Sequence, residues 1–562
     1  MNLHPIVETV KSIVEELLKQ RCGSAEEREE FLDPSLTRLV RVDALPGVRE
    51  AVAVILPFVR DKRKVVVYGD YDCDGVCASA ILVSALRRLG ASADAFIPDR
   101  FKEGYGLTDA AITRLFAEHP GVALVVTVDN GISSAREVAD IKARGVSVVV
   151  TDHHLPGPEL PSADALVNPR VAAASGCENL CGAGVAFFLA GALVQAAEAE
   201  GLYTGGKFAA PLLVLAGLAT VADIMPLRGQ NRILVAQSLA NFWRCAPLGL
   251  KELMRSASRM AASAPSARDY GFLLSPRINA TGRLESAALA YNLLMEEDRE
   301  VARNLAVRVN GINGRRQTEE RELAFALQGQ IASGRPACVA RLEKGNLGVV
   351  GIVAARVMER LGVPVAVAVG DTGSVRAPDG YNVHDALAAA GDALDRFGGH
   401  AAAGGFSVKE GRFEDFRRLF TEACAAQYAA GRESIECAKT LEPHYWIENP
   451  SNLTLELYDA LRVLEPFGEG NAEPVFGLRG VRFSDAKPIG AEGQHATFAF
   501  VNKSIPRAVW WNHGADVEAI RAHDVPRDVL FTLLESDYGG DPHLELKLLV
   551  ARVAVPETAK NA

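Results

Sequence analysis

At 562 residues the chain is longer than one hydrophobic core can serve, so three or four domains are the starting expectation. Hydrophobic residues make up 49%, yet no window holds the eighteen or so uninterrupted apolar residues of a membrane span, which argues against a membrane protein. The formal net charge of -10 excludes a surface that is basic throughout, but not a local basic groove or a metal-dependent nucleic-acid enzyme, because the field depends on where charges lie.

Residues 1–50 read as short helices. Ile6–Leu18 has helical apolar spacing, and Ser24-Ala-Glu-Glu opens a second segment in the manner of a capping sequence. Met1–Lys19 mixes acids among its apolar positions and lacks a small-residue cleavage site, so no signal peptide is expected; nine scattered cysteines suit the reduced thiols of a cytoplasm. From 51 to 235 apolar strands alternate with helices, the pattern of a doubly wound parallel sheet. Within it Val65–Gly75 runs V-V-V-Y-G-D-Y-D-C-D-G: a buried strand, then Asp70, Asp72 and Asp74, then a turn glycine. Three acidic groups this close repel one another and lose hydration unless a cation compensates them, and a divalent metal is the simplest one.

The strand Ala93–Ile97 leads into P-D-R-F-K-E-G-Y-G-L (98–107), Ala123–Val128 ends in Asp129-Asn-Gly-Ile, and Val146–Thr151 ends in Asp152-His153-His154. Open α/β sheets bind ligands at the carboxyl ends of their strands, so these polar residues share one edge. Four or more carboxylates with two imidazoles suit Mn²⁺ or Mg²⁺ better than a soft metal, with Zn²⁺ or Fe²⁺ as alternatives, and exceed what one ion needs. Two ions about 3.5–4 Å apart would clamp a phosphoryl group and activate water for in-line attack. Asp223, following an apolar stretch, is a natural additional ligand.

Residues 236–335 read as a helical connector that S-P-R-I-N-A-T-G-R-L (275–284) interrupts; Arg277 and Arg283 there could hold phosphates bidentately. Arg299–Gln330 reads as one long helix with solvated charges. Residues 336–428 form a smaller α/β pattern with G-S-V-R at 373–376 and F-G-G-H-A-A-A-G-G-F at 397–406. Glycines let backbone N–H groups approach a phosphate, and His400 in such a loop is better placed for a ligand than for a core. From 440 to 556 the chain is β-rich and suits a small barrel; Phe498, Phe500, Trp510 and Trp511 would be its core or base-stacking platforms.

In this order G-D-Y-D-C-D-G, P-D-R-F-K-E-G-Y-G-L, T-V-D-N-G-I, T-D-H-H, C-G-A-G-V-A-F, V-A-D-I-M-P-L, P-R-I-N-A-T-G-R-L and F-G-G-H-A-A-A-G-G-F resemble the motifs of the DHH phosphoesterases. The resemblance spans almost the whole chain, including L-E-P-F-G-E-G-N at Leu464–Asn471, and is nearest to members that degrade single-stranded DNA. It implies a multidomain α/β fold: a lead-in (1–50), a doubly wound DHH catalytic domain (51–235), the connector (236–335), a DHH-associated domain (336–428) and an oligonucleotide-binding barrel (440–556). It further implies a monomeric 5′-to-3′ exonuclease that releases mononucleotides in repair and recombination, alongside a helicase and a single-strand-binding protein.

By the same resemblance Asp72 and Asp129 would hold one ion and Asp74, Asp129, His153 and Asp223 the second, Mn²⁺ foremost and Mg²⁺ as the alternative. His154 would contact the scissile phosphate, and Arg100, Arg277, Ser374, Arg376 and His400 would position the strand or its 5′ phosphate. Asp70 and Asp152 would orient the ligands from behind. Two positions depart from the family: Tyr68 stands where several subfamilies have a ligating histidine, and Asn346 where relatives usually carry histidine. A phosphodiesterase for short oligonucleotides or cyclic dinucleotides and a catalytically silent replication scaffold are the competing readings.

Overall fold

The β-branched runs of the first domain become five parallel strands: β1 (Lys64–Tyr68), β2 (Ser92–Phe96), β3 (Leu124–Thr127), β4 (Ser147–Thr151) and β5 (Ala165–Val167). This computed structural model describes residues 4–104, 106–172, 176–205, 209–258, 264–331, 336–438, 441–537 and 540–554; Tyr105 of the P-D-R-F-K-E-G-Y-G-L stretch lies outside them. Val65, Val67, Leu124 and Val126 face one core while Val66, Tyr68, Val125 and Val148 face another, so the runs are apolar throughout rather than alternating. The strand order is β2-β1-β3-β4-β5. It reverses between β1 and β3, where a crevice opens at the carboxyl ends of an open sheet.

Helix Gly182–Ala199 is long and apolar enough to cross a membrane, but it is 61% buried inside the protein and packs on helix Cys73–Arg88 as a core element. Two sequence expectations for the connector change. P-R-I-N-A-T-G-R-L does not break the helical region: Ser275–Leu284 is itself a helix, entered from a π-helical turn at Tyr270–Leu274, with Pro276 in its first turn. A missing N–H is harmless there. The long helix Arg299–Ala326 also does not carry all its charges in solvent. Arg316 and Glu320 are buried; Arg316 donates to Glu320 (3.0 Å) and Asn313 (2.9 Å), and Arg356 of helix Leu347–Leu361 reaches Glu320 at 2.5 Å.

The second sheet contains β6 (Cys338–Leu342), β7 (Val365–Val369), β8 (Thr372–Arg376), β9 (Leu394–Gly399) and β10 (Ala403–Val408), in the order β6-β7-β8-β10-β9. β8 carries Ser374 and Arg376, and the β9–β10 turn carries His400. Beyond it one seven-stranded mixed sheet between Tyr445 and Val553 encloses Phe476, Phe498, Phe500 and Phe531. Phe498 and Phe500 are therefore core and not platforms; Trp510 is half-buried and Trp511 is 46% exposed.

The N-terminal helix His4–Arg21 packs Val10, Ile13 and Leu17 into this C-terminal core, so the two ends of the chain make one body. Arg232 of helix Gly229–Cys245 pins that body to the first domain. Its buried guanidinium donates to the carbonyls of Phe31 (2.8 Å), Val463 (3.3 Å), Leu464 (3.2 Å) and Glu465 (2.7 Å), and lies 3.7 Å over the Phe31 ring.

Candidate active site

Each acidic motif is fixed by the local chemistry of a strand end or a helix start. Asp72 is the N-cap of Cys73–Arg88, its Oδ1 accepting the N–H groups of Asp74 (2.9 Å) and Gly75 (3.0 Å). Asp74 accepts the N–H groups of Gly182 (2.7 Å) and Ala183 (2.8 Å), the first turn of Gly182–Ala199. That approach requires glycine, since a Cβ on Gly182 would lie 2.5 Å from Asp129 Cβ. Asp129 itself adopts φ +62°, a left-handed conformation that aspartate tolerates better than most residues.

These side chains converge. His153 Nε2 lies 3.2 Å from Asp129, 3.5 Å from Asp223 and 3.8 Å from Asp74. Three groups have ligating atoms within 4.8 Å of one another: Asp74–His153–Asp223, Asp70–Asp72–Asp129 and Asp129–His153–His154. Asp129 thus belongs to clusters on both sides. Asp129 Oδ1, Asp223 Oδ2 and both His153 nitrogens are buried without hydrogen-bond geometry to any partner. Buried polar atoms normally have partners, so lone pairs gathered in this way fit divalent cations of the hard-to-borderline kind.

Burial, then mutual repulsion, raises the carboxyls of Asp70 and Asp129 well above their ordinary range; burial likewise raises Asp74 and lifts Asp223 to about 8. Burial presses His153 down, leaving it neutral as a ligand must be. Around His154 burial opposes the charge, but the bond and charge of Asp152 outweigh it and lift the imidazole to about 9. Asp152 works from behind: Oδ1 accepts from His153 N, His154 N and His154 Nδ1, and Oδ2 accepts from Ile132 N.

The raised carboxyls set a pH dependence. Between about 3.9, the unfolded value for aspartate, and the folded value of about 8 for Asp223, the metal-free fold holds more protons than the unfolded chain. Its stability is therefore expected to fall as pH rises through that window. Urea unfolding in EDTA at pH 5 and pH 8 should show the loss, and Mn²⁺ should restore stability most at the higher pH.

A second constellation faces this one. Arg283, pressed down to about 10 by burial and by Arg100 and Arg376, donates to Gly348 O (3.0 Å). Arg376 is lowered by burial and by Arg100, and a Cβ on Gly351 would lie 2.9 Å from its Nη2 and 3.5 Å from Ser374 Oγ. Among the described residues no carboxylate pairs with Arg100, Arg283 or Arg376. His400 is exposed on its turn. Arg277 departs from this group: its donors go to Asn310 (2.8 Å) and Leu273 O (2.7 Å), tying Ser275–Leu284 to the long helix.

Tyr68 is buried in the second core of the sheet, its hydroxyl donating to Gly106 O (2.9 Å) and its ring stacked on Phe96. Asn346 caps Leu347–Leu361 through Gly348 N (2.8 Å) and donates to Glu319 (2.8 Å). Sequence reasoning missed Asn279, whose Oδ1 accepts Cys73 N (2.7 Å) and braces the acidic turn. Its only signal was membership of P-R-I-N-A-T-G-R-L.

Three family profiles match: the DHH family N-terminal domain over residues 64–215, the DHHA1 domain over 334–426 and the RecJ OB domain over 448–549. The chain is 37% identical over 476 residues to the single-stranded-DNA-specific exonuclease RecJ of Dickeya dadantii, covering 79% of this chain and 80% of that one. To RecJ of Thermus thermophilus it is 35% identical over 536 residues, covering 95% and 74%. To RecJ of Bacillus subtilis it is 33% identical over 523 residues, and it spans 64% of that longer protein. Among solved structures it resembles Thermus thermophilus RecJ in complex with Mn²⁺ (TM-score 0.78, 32% identity, 94% of this chain and 74% of that one). It also resembles an exonuclease RecJ bound to manganese (TM-score 0.60, 36% identity, 68% and 95%). Identity at this level across most of both chains makes the protein a member of the RecJ branch of the DHH family.

Proposed function

We propose that the chain is a metal-dependent exonuclease that degrades single-stranded DNA from its 5′ end to mononucleotides, in repair and recombination. The carrying observation is a buried ligand cluster around Asp129, together with three guanidiniums that have no carboxylate partner among the described residues. Asp72 and Asp129, with Asp70 alongside, would hold one ion; Asp74, Asp129, His153 and Asp223 would hold the other. Bound Mn²⁺, or Mg²⁺ in its place, supplies positive charge to the phosphoryl oxygens and activates water for in-line attack.

The remaining work belongs to the chain's own side chains. Asp152 bonds His154 Nδ1 and favours the protonated imidazole, the charge state suited to a scissile-phosphate oxygen. Arg100, Arg283 and Arg376, with Ser374 and His400, suit a terminal phosphate, which carries about two charges where an internal diester carries one. The role of Arg277 is to hold the helix that bears Arg283.

This pocket makes a prediction. Arg376→Ala should raise KM for a 5′-phosphorylated strand by about tenfold or more, the loss of one or two charge-assisted bonds, and by less for a 5′-hydroxyl strand. Steady-state kinetics on both substrates measure the difference, and equal effects would remove Arg376 from the 5′ end.

The function is tested with single-stranded DNA labelled at either end, in Mn²⁺, Mg²⁺ or EDTA. Metal-dependent early release of a mononucleotide from the 5′ label supports the reading. Release from the 3′ label overturns the polarity, turnover of dinucleotides alone favours the small phosphodiesterase, and no hydrolysis leaves the scaffold. The OB domain argues against a dinucleotide-sized substrate, and the complete ligand cluster argues against a silent scaffold. A helicase to open duplex and a single-strand-binding protein are the partners such a substrate requires, with the enzyme acting as a monomer in the cytoplasm.

A further inference from the structure

Of the three guanidiniums that lack a carboxylate, Arg283 stands on a helix and Arg376 on a strand, whereas Arg100 stands on a loop. The charge of Arg100 bears on both of the others and presses each below its ordinary range, so mutual repulsion works to drive it out of the group. One restraint on it is aromatic. Its guanidinium lies 5.1 Å from the centre of the Tyr71 ring, and Tyr71 abuts the helix that carries Arg283, where a Cβ on Gly282 would meet Tyr71 O at 2.6 Å.

The other restraint is a lock on the loop backbone, built around Glu103, whose side chain is 7% exposed. Its carboxylate accepts Nε (2.5 Å) and Nη2 (2.9 Å) of Arg114 and the N–H of Asp99 (2.6 Å). The chain between closes on itself: Glu103 N donates to Asp99 O (2.8 Å), and Asp99 Oδ1 accepts the N–H groups of Phe101 (3.0 Å) and Lys102 (3.2 Å). Arg100 is therefore flanked on both sides by bonded backbone. Arg114, on helix Asp109–Glu118, also donates to Ile97 O (2.9 Å) and lies 4.0 Å from the Phe96 ring centre, which ties the loop to the end of β2.

We propose that Glu103, clamped by Arg114, is a positioning residue that holds Arg100 in place for the terminal phosphate of the strand. The inference rests on the reading of Arg100 as a contact of that phosphate and adds what keeps it there before the strand arrives. A pocket for a doubly charged anion binds tightly when its donors already stand in position, because the ordering of a loose arginine loop would otherwise be subtracted from the affinity. Glu103 supplies that order without neutralising the pocket. Both its oxygens are committed to Arg114 and to the N–H of Asp99, so the charge of Arg100 stays available to the phosphate. A carboxylate that faced Arg100 directly would fix it equally well and cancel it.

The test uses the full chain in Mn²⁺, with Glu103→Gln, Arg100→Ala and the two combined, on single strands that carry a 5′ phosphate or a 5′ hydroxyl. Glu103→Gln loses the charged fork to Arg114 and is expected to raise KM for the phosphorylated strand by about fivefold to tenfold, with the change falling on KM rather than kcat and little of it seen on the hydroxyl strand. Arg100→Ala should raise the same KM at least as far. In the double variant Glu103→Gln should then add nothing, because a residue that acts through Arg100 has no effect once Arg100 is gone. Arg114→Lys keeps the charge but not the fork and should reproduce Glu103→Gln, which covers the case of a Glu103 variant that does not fold. A Glu103→Gln effect that is equal on both strands, or that persists beside Arg100→Ala, overturns the positioning role and leaves Glu103 a structural residue of the loop. Loss of phosphate preference in Arg100→Ala with none in Glu103→Gln or Arg114→Lys overturns this inference alone. No effect of Arg100→Ala on phosphate preference overturns the reading of Arg100 itself, and the inference with it.

Discussion

Replacement of Asp129 by asparagine is expected to lower kcat by about four orders of magnitude or more while leaving the fold intact. Asp129 belongs to two of the three ligand groups and lies 3.2 Å from the His153 of the third, so the removal of its charge weakens any cation held there. Asparagine is the informative substitution because it keeps the size and tolerates φ +62°; alanine would add a backbone cost of about 1–2 kcal/mol unrelated to the chemistry. In EDTA the variant should match or exceed the wild-type Tm, since it loses a buried carboxyl that its neighbours Asp70, Asp72 and Asp74 repel. In Mn²⁺ the order should reverse, because the wild type gains binding energy that the variant cannot. Thermal unfolding with and without metal, beside the turnover assay, separates these effects. Substantial residual activity would show that Asp129 does not bridge.

Arg232→Ala is expected to cost several kcal/mol, since a buried carbonyl left without a donor costs about 1–3 kcal/mol. Four carbonyls from two separate segments, Phe31 and 463–465, lose their shared donor at once. Lysine is not a conservative replacement, because one ammonium cannot reproduce the planar fork. The damage should be regional: limited proteolysis should first release the body built from the N-terminal helices and the C-terminal sheet. Urea unfolding measures the loss, and a change below about 1 kcal/mol would mean that apolar packing alone joins the two bodies.

The ligand cluster was legible because it is local. Each of Asp70–Asp74, Asp129 and Asp152–His154 directly follows an apolar run, and strand ends in a parallel sheet share one edge whatever the loops do. Asp223 was harder to read, since it ends a helix. What escaped reading was long-range. Nothing in Ile6–Leu18 says that its apolar stripe packs on a helix more than 400 residues away, as Val10, Ile13 and Leu17 do beside Leu457 and Leu461. The charges of Arg316 and Glu320 look like their neighbours on a solvated helix until Arg356 arrives from another domain. Phe498 and Phe500 sit on the core side of their strand, a choice that alternation fixes only once register is known. Arg277 and Arg283, six residues apart on one helix, take different partners: Asn310 and Leu273 O for the first, Gly348 O for the second.

The long helix Arg299–Ala326 makes the two α/β domains into a caliper. Its 28 residues make a beam about 42 Å long at about 1.5 Å per residue, so a tilt of about 5° at one end displaces the other by about 4 Å. That is more than the slack of a hydrogen bond between groups on the two domains. The buried Arg316–Glu320 pair of the beam is joined by Arg356 from helix Leu347–Leu361, which fastens the beam to the second domain at that point. The spacing of the two domains is then set by the stiffness of one helix.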